Sequence, residues 1–505
     1  MSDTGNRRTG GWFLPAIVFL LSCMFLAGLL LTVKPDVFFS GDGGLKYLVV
    51  RQNAEKNTCT SLRLDTKRWV GSIWEKGFYP FKPPFVYESK GEKIVSFPPF
   101  FQMLTAPMYE TVGYAGLYVI PAVSMVLLWI WFWWLLYRLC ARPAVVAGAM
   151  FCLSFCSPLA LYAAVYWEHT LAVLLLFGGI VFLVKPPRKA LYAIILGCVT
   201  GLSAWLRPEA LLLCLFIAAV VMYNQLRRAN TVNACFVVSA LVVLSLFFAC
   251  NQVLYGSFLG AHGYQLISDA SPLQKLKPLL IQFLHLNIRQ WMFFPVTPAV
   301  FILVAYAMIK RRAVPKEVIQ LLIIIILFSL ITPFLLPNGG GKQWGPRYFL
   351  FLIPVVLVAA ALFAASPTGK QFLANRWWAG LMIPVIIYSF YLNSFKAHTT
   401  LQDDYAHRVR PCMRFIERNT CTVVVVQNQF IAMEFAHLFR TKDIFLAEDP
   451  IHYATLRKLL QAAGVTELIF VAHNKDELLP CNILSSRPAL QHLGDYYLTK
   501  CRLAP

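Results

Sequence analysis

The chain has 505 residues, of which 58% are hydrophobic and only 14% charged, and it carries a formal net charge of +21. An ordinary soluble domain, with about 25% charged residues, is excluded. The basic residues are scattered through loops and form no basic domain or helical stripe, so anionic lipid headgroups and phosphates are the expected partners of the excess charge, not nucleic acid.

Many apolar runs approach the roughly 20 residues that carry a helix across about 30 Å of hydrocarbon. A β-barrel is discarded, because segments such as Leu321 to Phe328 are apolar without the alternation that a polar lumen imposes. The first run, Trp12 to Val33, follows Arg7 and Arg8 and is too long for the apolar region of a signal peptide, so it reads as a retained helix. About eleven spans are expected, near 12–33, 115–137, 144–165, 170–184, 190–206, 209–223, 232–254, 292–309, 317–336, 348–366 and 379–395. With Arg7 and Arg8 inside, every cytoplasmic turn is short and basic: 138–142, 185–189, 227–228, 310–312 and 370–376. The spans flanking Arg207 are short, and read as tilted, partly re-entrant or one broken unit.

After the first span, segment 34–114 falls outside on this topology and is too long for a bare connector. The spacing of Leu45, Leu48, Val49 and Gln52 predicts a helix lying on the membrane surface. Just before it stands Ser40-Gly41-Asp42-Gly43-Gly44, where glycines allow close backbone approach to a ligand and Asp42 can act as a general base. Asp42 can equally cap the helix that follows. Trp167-Glu168-His169 joins the third and fourth spans; ionisable groups at that depth usually face a cavity, though Trp and Tyr also serve as interfacial anchors. Adjacent Glu168 and His169 point about 100° apart on a helix, which disfavours a shared metal.

Arg207-Pro208-Glu209 places an arginine beside a helix start, an arrangement suited to phosphate, or alternatively a self-contained ion pair in a turn. Asn251, Tyr255-Gly256-Ser257 and His262 form a softer polar group at the outer end of the seventh span. Gly339-Gly340-Gly341-Lys342-Gln343-Trp344-Gly345-Pro346-Arg347-Tyr348 brackets an aromatic residue with two cations and can hold an anion; it lacks the register of a nucleotide-binding P-loop. Beyond about Lys396 the composition changes: strand-like runs at Thr422 to Val426 and Glu467 to Val471 alternate with a helical stretch near Tyr453 to Ala463, predicting a small α/β domain. An odd span count puts this tail outside, where Cys412, Cys421, Cys481 and Cys501 can form two disulfides.

All five polar groups open on the side opposite the basic turns. Carboxylates, cations and aromatics gathered there suit a ligand with a lipid tail, a phosphate and a sugar. The pattern of an Asp in the first outer loop, a Trp-Glu-His turn, an Arg-Pro-Glu turn and a Trp-Gly-Pro-Arg-Tyr loop resembles the GT-C superfamily of integral-membrane glycosyltransferases, particularly bacterial relatives of protein O-mannosyltransferases and the aminoarabinose transferase. The resemblance covers the chain to about residue 395 and does not extend to the tail.

It implies a polytopic α-helical fold with a transmembrane catalytic domain over 1–395, to which the residue pattern adds a first extracytoplasmic loop over 34–114 bearing interfacial helices and an extracytoplasmic α/β domain over 396–505. It also implies a polyprenyl-phosphate-linked sugar donor, a glycan, lipid or protein acceptor, inverting displacement without a cofactor, and residence in a bacterial inner membrane. Asp42 would be the base, and Arg207, Lys342 and Arg347 would neutralise the leaving phosphate. Glu168, His169, Glu209, His262, Gln343, Trp344 and Tyr348 would contact substrate. Many relatives carry an acidic pair in the first loop, whereas the nearest acidic neighbour of Asp42 is Asp36, which argues against a bridging metal there. The competing readings are a lipid-linked glycan flippase or transporter, for which no internal repeat is visible, and an envelope polysaccharide assembly protein.

Overall fold

The structure is a computed structural model that describes residues 12–56, 60–89, 91–140, 142–227, 229–261, 263, 314–335, 342, 344–345, 347–477 and 490–503. The chain divides into two compact units, one of residues 1–30 and 120–398 and one of residues 31–119 and 399–505. The long first loop and the C-terminal segment therefore belong to a single unit.

The first unit is helical. Its helices follow the apolar runs and stop at identifiable chemistry. Asn230 caps Thr231–Tyr255 by accepting from the Val232 N–H, and Gly256, at φ 68°, ends it in the left-handed region. Ser366 caps Pro367–Ala374, where the chain turns 88° after Leu352–Ala365. Helix Ala190–Leu206 packs closely on Thr231–Tyr255 because a Cβ at Gly197 would lie 2.1 Å from the Ser239 hydroxyl. Helix His169–Val184 is buried on almost every side, as an all-apolar helix at the centre of a bundle must be.

Among the described residues, four helices are long and apolar enough to cross a bilayer: Phe13–Thr32, Phe100–Leu139, Glu209–Arg227 and Thr231–Tyr255; the bent pair makes five. Spans expected over 144–165, 170–184 and 190–206 correspond to the shorter Pro143–Phe155, His169–Val184 and Ala190–Leu206, and 292–309 lies outside the described residues. The described residues, which also include helix Lys316–Leu335 at the span expected over 317–336, thus leave the count of eleven crossings unconfirmed. The expected span at 144–165 is broken at Ser157-Pro158 into Pro143–Phe155 and the short Leu159–Ala163.

The second unit is built around helix Gly41–Lys56. The expected surface helix is here the centre: Leu45, Lys46, Tyr47, Leu48 and Val50 are buried, and Gln52 donates to the Ser61 carbonyl at 2.7 Å. It packs against Phe100–Val112 and Gln429–Glu434. The glycines serve that packing: a Cβ at Gly44 would stand 1.9 Å from the Met433 carbonyl oxygen, and one at Gly41 would stand 2.9 Å from the Met433 Cβ. Strands β1 (Val86–Ser89) and β2 (Glu92–Val95) form a hairpin.

A five-stranded sheet has the order β4-β3-β5-β7-β6, with β3 (Val423–Val426), β4 (Asp443–Leu446) and β5 (Glu467–Ala472) parallel and β6 (Gln491–Leu493) and β7 (Tyr496–Arg502) antiparallel. The buried run of valines in β3 is what a central parallel strand requires. Asp449 caps the following helix, Pro450–Ala462, with Pro450 in its first turn. The carboxyl ends of the parallel strands, the usual ligand crevice of such sheets, are covered by the chain itself: Gln429 accepts from the Lys82 N–H and donates to the Pro83 carbonyl, and Lys82 pairs with Glu448. Arg408 ties the unit together, binding Asp404 at 3.0 Å and Glu434 at 2.6 Å, while the Tyr496 hydroxyl donates to Glu434. Two disulfides among four cysteines do not form, since Cys412 and Cys421 are buried thiols; Cys501 is disulfide-bonded, to a partner outside the described residues.

Candidate active site

Within the helical unit the chain creates two breaks that bring polar groups into an apolar interior. Pro208 forces Arg207 out of the α region, to φ −139° and ψ 113°, so helix Ala190–Leu206 ends at that residue and Glu209–Arg227 begins beyond it. At the other break, the Trp167 N–H closes a tight turn on the Val165 carbonyl at 2.7 Å, and Glu168 precedes the first residue of His169–Val184.

These breaks meet. The Arg207 guanidinium donates through Nη1 to Glu168 Oε1 at 3.0 Å and through Nε to Glu209 Oε1 at 2.8 Å, with Nη2 also on Glu209. The three side chains are 5%, 2% and 8% exposed, so this is a fully desolvated arginine held by two carboxylates. Burial of charge costs several kcal/mol per ion and is tolerated only with such complete pairing.

Around the triad lies an aromatic wall. Tyr162, Trp167 and His169 are mutually packed, with ring centroids 5.0 to 5.2 Å apart. Arg347 opens the short 3-10 turn Arg347–Phe349; its guanidinium carbon stands 5.2 Å over the Tyr348 ring and 6.0 Å from that of Trp167. Trp344 is 2% exposed, and its indole N–H has no acceptor among the described residues. A buried donor of this kind suits an acceptor oxygen supplied by a ligand.

Eight of the expected site residues therefore lie in the described part of one unit: ion pairs join Glu168, Arg207 and Glu209, and ring contacts through Trp167 join His169, Arg347 and Tyr348. Lys342 is half-buried in the same unit, while Gln343 and His262 lie outside the described residues. Asp42 belongs to the other unit, in the first turn of Gly41–Lys56, where the Gly43 N–H donates to the Ser40 backbone carbonyl at 3.1 Å. Tyr162 was not distinguishable in the sequence, since it sits in an apolar run with no polar neighbour. Among the described residues no group of three His, Cys, Asp or Glu side chains is placed to hold a metal.

The fold is shared with two solved structures, and among the described residues it includes four helices long and apolar enough to cross a membrane. The crystal structure of ArnT from Cupriavidus metallidurans bound to undecaprenyl phosphate is similar over 98% of this chain and 98% of that one, with a TM-score of 0.58 and 14% identity. ArnT from the same organism in the apo state is similar over 96% and 97%, at 0.56 and 13%. No protein-family profile and no curated protein sequence matches the chain.

Proposed function

We propose that the protein transfers a sugar from a polyprenyl-phosphate donor to an acceptor at the extracytoplasmic face of a bacterial inner membrane, by inverting displacement. The observation that carries this reading is the likeness over nearly the whole of both chains to ArnT, whose structure holds undecaprenyl phosphate. The buried ionic and aromatic cluster supports it, because desolvated charges are costly and gather at functional sites.

In this reading Asp42 takes the proton from the acceptor hydroxyl as that oxygen attacks the anomeric carbon, and the phosphate leaves with its bonding pair. A phosphate needs no proton to depart, so no paired acid is required. It does need cations where charge accumulates. Arg347 and Lys342 are assigned that role. Arg207 shares it: three of its five N–H donors are committed to Glu168 and Glu209, which leaves two for a phosphate oxygen. Glu209, His169, Trp344 and Tyr348 remain the proposed sugar and phosphate contacts. The unit containing the sheet lies outside the membrane.

The test is binding of undecaprenyl phosphate to purified full-length protein, followed by native mass spectrometry. Arg347→Ala and Lys342→Ala should each weaken retention by tenfold or more, since a hydrogen bond to a charged group contributes about 1.5–3 kcal/mol. Retention of undecaprenyl phosphate equal to that of wild type in both variants would sink the phosphate assignment.

A further inference from the structure

The second unit carries a cationic face that the transfer reaction does not use. Its level relative to the bilayer follows from chain continuity. The first span ends at Thr32, and Asp36 is only four residues on, a reach of at most about 14 Å. Tyr114 stands two residues before Gly116, where helix Gly116–Leu139 begins. Asp36 thus lies close to the end of one apolar helix long enough to cross a membrane, and Tyr114 lies in the turn Gly113–Ala115 within another, Phe100–Leu139.

Basic residues are bound to these two markers. Arg410, at the start of helix Arg410–Arg418, pairs with Asp36 at 3.8 Å. His437 hydrogen-bonds the Tyr114 hydroxyl and sits in the turn Ala436–Arg440. From these anchored elements Arg414, Arg418 and Arg440 project as exposed side chains. Against the four arginines stand two carboxylates, Asp36 and Glu417, the latter 3.6 Å from His437.

An independent feature points the same way. Helix Phe100–Val112 buries Phe101, Gln102, Thr105 and Ala106, yet its other face exposes Met103, Leu104, Met108 and Val112 at 45%, 51%, 38% and 57%. Tyr109 of this helix packs edge-on against Tyr114, so the apolar stripe and the His437 turn are joined through one aromatic pair. An apolar stripe beside exposed arginines is the composition of a surface lying in a bilayer interface.

We propose that this face is a phospholipid contact, in which Arg414, Arg418 and Arg440 hold the phosphates of anionic phospholipid headgroups beside the stripe Met103, Leu104, Met108 and Val112. It is independent of the glycosyltransferase reading. A juxtamembrane arginine contributes about fivefold to anionic lipid preference, so three contribute roughly a hundredfold at most.

The experiment uses full-length protein reconstituted in phosphatidylcholine mixed with phosphatidylglycerol, and counts each lipid retained in native mass spectra. Wild type should prefer phosphatidylglycerol, less so as salt rises. R414Q/R418Q/R440Q should lose tenfold or more of that preference, whereas K458Q/K475Q/R502Q, which removes the same charge from other elements, should retain it. Unchanged preference in the first variant, or an equal loss in the second, overturns the proposal. So does unchanged phosphatidylglycerol retention with lost undecaprenyl phosphate retention, which would assign the arginines to the donor lipid.

Discussion

Replacing Arg207 by Met tests the physical basis of the buried cluster. The side chain is 5% exposed and supplies the hydrogen bonds that hold Glu168 and Glu209, themselves 2% and 8% exposed. Methionine fills much of the volume but leaves two carboxylates uncompensated in an apolar interior. Breaking a buried ion pair from one side costs about 3–5 kcal/mol. At about 2–4 °C per kcal/mol for a unit of this size, the melting temperature should fall by roughly 6–20 °C. Removing all three charges together, in R207M/E168Q/E209Q, leaves no uncompensated ion and should recover at least half of the loss, because the penalty belongs to the orphaned charge. The assay is fluorescence-detected size exclusion after a heating series in detergent. An unchanged melting temperature in the single variant, or a triple variant no more stable than the single, would refute the reasoning.

Other consequences can be measured on the same protein. Trp344→Phe keeps the ring and removes the orphaned N–H, so stability should hold or rise while undecaprenyl phosphate affinity falls about tenfold; normal affinity would show that the indole does not face the donor. Gly44→Ala must push helix Gly41–Lys56 off the Met433 carbonyl and should destabilise by about 1–3 kcal/mol, whereas Gly28→Ala, with nothing within 4 Å, should be nearly neutral; equal melting curves would contradict the packing. Burial raises the Asp36 carboxyl above its usual value despite the pull of Arg410. The folded state therefore favours the protonated form, and the contribution to stability is present at acid pH and lost as pH rises through the raised value. Asp36→Asn, which tolerates the φ of 79° there, should melt higher than wild type at neutral pH and equally below pH ~4. A gap that widened on acidification would reverse the sign of that account.

Much of this architecture is legible in the sequence because the bilayer selects for runs that are conspicuous. Arg207-Pro208-Glu209 and Trp167-Glu168-His169 stand out for the same reason: ionisable residues inside apolar runs are costly and need a cause. Their pairing with each other is not legible, since 39 residues separate Glu168 from Arg207 and nothing local encodes the contact. Helix Gly41–Lys56 misleads more instructively. Its spacing suggests a helix on the membrane surface, yet even Lys46, Arg51 and Gln52 are buried, Lys46 with its amine over the Phe97 ring at 4.7 Å. The glycines around Asp42 suggest a ligand, and two of them, Gly41 and Gly44, also allow the close approach of Met433, which nothing local encodes. Nor can composition reveal that segments 31–119 and 399–505 form one unit, because each alone looks like a loop or a tail.

The most direct measurement of the central claim is turnover. Wild-type protein and Asp42→Asn would be incubated in nanodiscs with polyprenyl-phosphate sugars and an extract of envelope acceptors, and the polyprenyl phosphate released would be quantified by mass spectrometry. Wild type should release it in step with glycosylated acceptor, and Asp42→Asn should bind donor normally but turn over about 10²–10⁴-fold more slowly, the usual contribution of a general base. Equal release by the two proteins would remove Asp42 as the base, and no acceptor-dependent release by wild type would contradict the glycosyltransferase reading itself.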